Sequence, residues 1–442
     1  PEHRFVYAAR SGDAAVAAFA RDAGGGTLVL DGLEAGGPGG RSCDGAFAFA
    51  RTASDASFAQ LYASGLDPDR LSVLDIDIGG DGALTLFEEH RNGLGGAQGL
   101  TGAGALAASA DGRHLYVAAS PGVLGTYARS TVSGELRFIE AQRDGRDGVR
   151  GLGAASSVAV SPDGTGVYVG TAGDSLVAFR RNPDTGRLDF AQELRNGVDG
   201  VVGIAGESEV RVSPDAAHVY VASKGDNSVV VFARDAATAR LTFVQRLRQG
   251  EGGVDGIGET SALALSGDGA HVYATGVTGT LAVFARDAAD GRLSFLASYR
   301  DQVGGVDGLA GAGAIEVAPD GAHVYVAGFL DAGLAIFARN AATGLLGFVS
   351  VQRDGSSDAL TGVTALALGA GGTRLYATTI GGTLSAFRRS PGPGALTRLE
   401  TWRDGSDGID GLGGAVAVLA VDDSVYVAGA TDGAVAFFSG GN

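Results

Sequence analysis

The chain is written in short apolar runs separated by polar turns, and residues 209–255 give the clearest specimen. Glu-Val-Arg-Val leads into Ser213-Pro214-Asp215. His-Val-Tyr-Val-Ala-Ser follows, then Ser-Val-Val-Val-Phe-Ala-Arg-Asp, then Arg-Leu-Thr-Phe-Val-Gln. Within each run, β-branched and aromatic residues recur at alternate positions, the period of a strand. A loop rich in Gly and Asp closes the unit at Gly252-Gly253-Val254-Asp255-Gly256.

The unit recurs down the chain. Its second strand carries Tyr7, Tyr62, Tyr116, Tyr168, Tyr220, Tyr273, Tyr325, Tyr376 and Tyr426, a period of about 50 residues. Four strands per such unit predict an all-β chain folded as a single β-propeller of four-stranded blades over residues 1–442. The 76 glycines argue against helical repeats. Strand a (the Val158-Ala159-Val160 type) ends in a tight turn such as Ser161-Pro162-Asp163-Gly164, where Pro fixes φ and Gly supplies a positive one. Strands c and d carry rings (Phe179 and Phe190; Phe232 and Phe243; Phe284 and Phe295) expected to fill the space between blades.

The ends differ from the middle. Arg4-Phe5-Val6-Tyr7 opens directly on strand b, and Val435-Ala436-Phe437-Phe438 ends on strand c. Nine b–c hairpins favour nine blades. Eight would follow if the strand at 415–421 completed the first unit, but the apolar hairpin 424–438 would then lack cover. The missing strands also leave room for self-assembly by strand addition.

Composition narrows the partners. Net charge is −17 and Lys224 is the single lysine, which excludes a nucleic-acid partner. An acidic surface suits a cation or a basic partner. No apolar run is long enough to span a membrane. Cys43 stands alone, so no intrachain disulfide forms, and Arg41-Ser42-Cys43-Asp44 carries no thiol chemistry. A chain opening on Pro1 reads as a trimmed, exported form: secreted, periplasmic or cell-surface.

The repeats resemble the bacterial β-propeller lactonase family, relatives of 6-phosphogluconolactonase-type and YVTN-type propellers. The residues that carry this are Ser-Pro-Asp-Gly followed by Val-Tyr-Val (161–169), Val-Phe-Ala-Arg-Asp (231–235), Gly-Arg-Leu-Ser-Phe (291–295) and Gly-Gly-Val-Asp-Gly-Leu (304–309). The Tyr-Val-Thr-Asn tetrad is absent, replaced by Tyr168-Val169-Gly170-Thr171 and Tyr220-Val221-Ala222-Ser223. The resemblance implies the fold and a lactonase-like activity, but no motif brings catalytic residues with it.

Two groups of residues are candidates for chemistry. The loops from strand d to strand a begin with a recurring arginine and hold acidic residues: Asp144, Asp147, Asp199, Asp255, Asp307, Asp404, Asp407 and Asp410. Such loops can bind calcium through carboxylate and carbonyl oxygens. The competing reading has Asp capping its own turn and Arg pairing with a neighbouring loop. Asp75-Ile76-Asp77-Ile78-Gly79-Gly80-Asp81 resembles an EF-hand loop, but Leu86 stands where its bidentate Glu belongs. His114, His218, His271 and His323, just before strand b, are expected to be surface turn residues in separate blades.

The second group breaks the repeat. Strand a holds Ala at one inner position (Ala107, Ala159, Ala264, Ala367, Ala417), but Arg211 and Glu316 replace it in two units, and Glu209 lies two residues before Arg211. Strand a lines the channel of a propeller, so Arg211 reads as an anion clamp and Glu316 or Glu209 as acid or base. The favoured expectation is an exported, non-enzymatic binding or structural module whose protein or small-molecule ligand is unknown, with calcium in its loops. The alternative is a lactonase-like hydrolase acting on a small anionic substrate at the channel mouth, with Arg211, Glu316 and Glu209 as candidate catalytic residues.

Overall fold

Four-residue turns set the pitch of each blade. At Ser213-Pro214-Asp215, the Ser213 hydroxyl donates to Asp215 Oδ1 at 2.5 Å. Asp215 Oδ1 accepts the Ala217 N–H at 3.0 Å, and Ser213 Oγ accepts the His218 N–H at 3.0 Å. The fourth residue takes a positive φ, 70° at Gly164 and 58° at Ala216, where Gly costs less than Ala.

The structure, a computed structural model, describes residues 136–353 without a break, most of 103–129 and 360–406, and elsewhere only strand backbones. Among the described residues it contains nine antiparallel sheets, six of four strands and three of three. In the four-stranded sheets, consecutive strands pair in order, as in Glu207–Val212, His218–Ser223, Ser228–Arg234 and Leu241–Arg248. Successive inner strands lie beside one another in one continuous series from Ala103–Ala108 to Ala415–Val421, the arrangement of the inner strands of a propeller. The first and last strands, Phe5–Arg10 and Ala434–Ser439, lie together, so these two edges cover one another. No helix among the described residues is long and apolar enough to cross a membrane.

The core lies between blades. Tyr168 packs with Val219, Val221 and Phe232 of the next blade, and Tyr220 with Val272, Ala274 and Phe284 of the one after. Among the described residues the strand-c rings are fully buried. The strand-d rings are half-buried and meet them edge-on, as for Phe232 and Phe243 at 6.0 Å and 77°.

Polar locks join the same faces. The arginine ending strand c (Arg181, Arg234, Arg286, Arg339, Arg389) is buried and reaches into the preceding blade. Arg286 Nε donates to the Tyr220 hydroxyl at 2.7 Å. Its other nitrogens donate to the Gly269 carbonyl at 3.0 Å, Asp215 Oδ2 at 2.7 Å and His218 Nδ1 at 2.8 Å. Tyr220 in turn donates to the Gly291 carbonyl at 3.0 Å. Equivalent bonds join Arg181 to Tyr116 and His114, Arg339 to Tyr273 and His271, and Arg389 to Tyr325 and His323.

The four histidines are therefore not surface turn residues; each is at most 5% exposed. An arginine can only donate, so Nδ1 accepts and the imidazole is neutral with its proton on Nε2. Burial, then the nearby Arg181 guanidinium, holds His114 down at about 4. His218, His271 and His323 are lowered for the same two reasons. The His218 ring lies flush against Gly291, where a Cβ would fall 2.1 Å from it. In the one described interface where Gly166 replaces the histidine, the facing residue is Ala239 instead of Gly. Arg234 there bonds the Thr165 hydroxyl in place of the ring.

Candidate active site

Every described inner strand of the four-stranded blades carries a β-bulge near its start, between Glu207 and Glu209 and between Ala312 and Ala314 for example. A bulge re-aims the residues that follow it. Here they line a cavity of about 410 Å³ bounded by five successive inner strands. Glu209, Arg211 and Glu316 all line it, so the structure brings together the three side chains singled out by their departure from the repeat.

Backbone register makes that departure explicit. The inner residue opposite the strand-b tyrosine is Ala107, Ala159, Arg211, Ala264, Glu316 or Ala367 in the four-stranded blades. The last sheet differs from expectation: Leu419, not Ala417, stands opposite Tyr426. Glu209 breaks a second small-residue row, where the equivalents are Ser157, Ala262, Ala314 and Ala365. Ser157 and Ser261 also line the cavity. Their hydroxyls went unnoticed in the sequence, because serine is unremarkable in a strand edged by turns.

The charges are arranged in series. Glu209 pairs with the Arg211 guanidinium through one carboxylate oxygen. Its other oxygen accepts the Leu263 N–H of the next blade at 2.8 Å. Arg211 is thus held at one end while its side chain remains 54% exposed to the cavity. Glu316, two blades away and half-buried, has no such anchor. Burial pushes its carboxyl up to about 7, with Arg211 pulling it down and Glu209 pushing it up. A carboxyl that exchanges its proton near neutrality can serve an acid–base step, and a guanidinium on the same cavity can stabilise developing negative charge.

The loop aspartates lie elsewhere, on the face where d-to-a loops meet b-to-c turns, as Ala205 N–H donating to Asp226 Oδ2 at 2.9 Å illustrates. Asp144 Oδ1 accepts the Leu152 N–H at 3.1 Å across its own loop. Asp147 and Asp199 take positive φ of 50° and 49°. Asp255 pairs with Arg300 and Asp307 with Arg353, each from the following loop. The Asp404 N–H ties its loop to the neighbouring b-to-c turn, donating to the Gly382 carbonyl at 2.8 Å. Carboxylates of Asp301, Asp307 and Asp331 lie within 4.8 Å of one another. Asp407, Asp410, Cys43 and most of the loop at 75–81 lie outside the described residues.

Comparison with known proteins follows the same lines. A family model described as "Lactonase, 7-bladed beta-propeller" matches residues 69–201, 194–255 and 262–401. The chain is 29% identical over 143 residues to a 6-phosphogluconolactonase of Bacillus subtilis, a match spanning 32% of this chain and 39% of that protein. The periplasmic gluconolactonase of Pseudomonas aeruginosa superposes with a TM-score of 0.51 at 20% identity, covering 80% of this chain and 97% of that one. Sqt1 of Chaetomium thermophilum superposes with a TM-score of 0.68 at 18% identity, covering 90% and 97%; a second structure of Sqt1 holds the N-terminus of ribosomal protein L10. At these identities the structural likeness is one of fold.

Proposed function

The chain belongs to the lactonase family of β-propellers, and on that premise we propose that it hydrolyses a lactone in the channel cavity. The observation that carries the proposal is the convergence of Arg211 and Glu316, the two charges in an otherwise alanine row, on one cavity. Family membership favours this reading over a non-enzymatic module.

The chemistry follows from the arrangement. Glu316, ionised above about pH 7, takes a proton from water as the oxygen attacks the lactone carbonyl. Negative charge developing on the carbonyl oxygen is met by the free N–H groups of Arg211, oriented by Glu209. Collapse breaks the ring C–O bond, and the proton held by Glu316 passes to the departing alkoxide, leaving a hydroxy acid. The guanidinium needs no reorganisation during the step because Glu209 and the Leu263 N–H already fix it. We also read the repeat as nine blades, two beyond the family description, with eight as the alternative if the first and last sheets, whose edge strands lie together, complete one blade.

Lactone hydrolysis by wild type, Glu316→Gln and Arg211→Ala tests the proposal. Losing the general base should lower kcat by about 10²–10⁴, and losing the oxyanion donor by about 10². Wild-type turnover unchanged by either substitution refutes it.

A further inference from the structure

Resting on the lactonase reading, we infer that the substrate is an uncharged, hydroxyl-bearing lactone rather than a phosphorylated one. Among the described residues the charged side chains lining the cavity are Glu209, Arg211 and Glu316: one cation against two carboxyls. The cation is partly engaged: one guanidinium nitrogen pairs with Glu209, and the remaining N–H groups are the ones that meet the carbonyl oxygen. No lysine, histidine or second arginine lines the cavity among the described residues.

A phosphate ester brings up to two negative charges at neutral pH, and its sites supply several cationic or N–H partners. Here it would meet one guanidinium already facing the Glu209 carboxylate and, above about pH 7, a second carboxylate. With no second cation lining the cavity among the described residues, the charge balance favours a neutral substrate over the anionic one expected from Arg211 alone. A neutral lactone faces no such repulsion, and its hydroxyls can donate to the Glu209 carboxylate that lines the cavity. Hydrolysis then creates a carboxylate in a cavity that already holds two carboxyls, which favours product release. The site admits a neutral molecule and expels an anion.

The test is kcat/KM for glucono-δ-lactone and for its 6-phosphorylated counterpart at equal ionic strength. The neutral lactone should be favoured by about tenfold or more, the effect of roughly one unit of like-charge repulsion. Glu209→Gln, which removes one negative charge and frees Arg211, should narrow that preference several-fold. Equal use of the two lactones, or preference for the phosphorylated one, overturns the inference. Calorimetry with gluconolactam, neutral and resistant to hydrolysis, and with 6-phosphogluconate separates this inference from the lactonase reading. If wild type turns over neither lactone, the lactonase reading falls. Binding of the lactam but not of 6-phosphogluconate then still supports a cavity selective for neutral ligands; binding of 6-phosphogluconate, or of neither, overturns it.

Discussion

Replacing Arg286 by Met tests whether buried arginines lock the blades together. Methionine keeps much of the aliphatic volume and removes every donor. In the native blade those donors serve the Tyr220 hydroxyl, the Gly269 carbonyl, Asp215 and His218 Nδ1. The carbonyl and the ring nitrogen become unsatisfied buried acceptors, at about 1–3 kcal/mol each. The Asp215 side chain is 41% exposed, so water recovers most of its interaction and the lost ion pair adds about 1 kcal/mol or less. The expected loss is about 3–5 kcal/mol. Arg300→Met is the control: Arg300 pairs with Asp255, but their side chains are 47% and 33% exposed, so about 0–1 kcal/mol should be lost. Urea denaturation followed by circular dichroism measures both. A loss below about 1 kcal/mol for Arg286→Met, or equal losses for the two variants, refutes the lock.

Three further outcomes follow. The His114 imidazole titrates at about 4 when folded and near 6.5 when unfolded, so the unfolded chain binds more protons between those values. Stability should be highest above pH 6.5 and fall by about 3 kcal/mol from this group as pH drops toward 4, measurable as a fall in unfolding midpoint. Gly291→Ala should destabilise by about 2 kcal/mol or more, because its methyl meets the His218 ring. Adding His218→Gly, which recreates the Gly166–Ala239 combination, should recover most of that loss in a double-mutant cycle. Asp301 stands beside Asp331, where the equivalent Asn196 donates to Asp226 at 3.1 Å. Burial and then the Asp301 carboxyl raise Asp331, so ionisation of Asp331 costs stability as pH rises. Asp301→Asn should therefore raise the melting temperature at pH 7 by the equivalent of about 1 kcal/mol, with the gain fading near pH 4.

The strands, turns and inter-blade rings were legible because each is written in local spacing. So were Glu209, Arg211 and Glu316, since a charge in an alanine row is visible without any partner. The locks were not. Arg286 and Tyr220 stand 66 residues apart, so local pattern gave no reason to connect the arginine of Val-Phe-Ala-Arg-Asp with the tyrosine of the preceding blade. The histidines were misplaced for the same reason. The Ser-Pro-Asp-Gly turn points to a rim, and the covering chain, Gly291 over His218, belongs to the next blade. The register of the last inner strand was not legible either, because Val421 pairs directly with Ser424 and the Ser-Pro-Asp-Gly turn that sets the register of the other blades is absent from the sequence there. The loop arginines follow a pattern visible in sequence, but only packing shows that Arg300 and Arg353 reach back to Asp255 and Asp307.

The central claim, that two charges departing from the repeat form an active site, is tested most directly by the pH dependence of lactone hydrolysis. Wild-type kcat should rise through about pH 7 as the buried Glu316 ionises, while Glu316→Gln should be slow and flat across that range. A wild-type profile with no inflection near neutrality, or the same profile in Glu316→Gln, would contradict it.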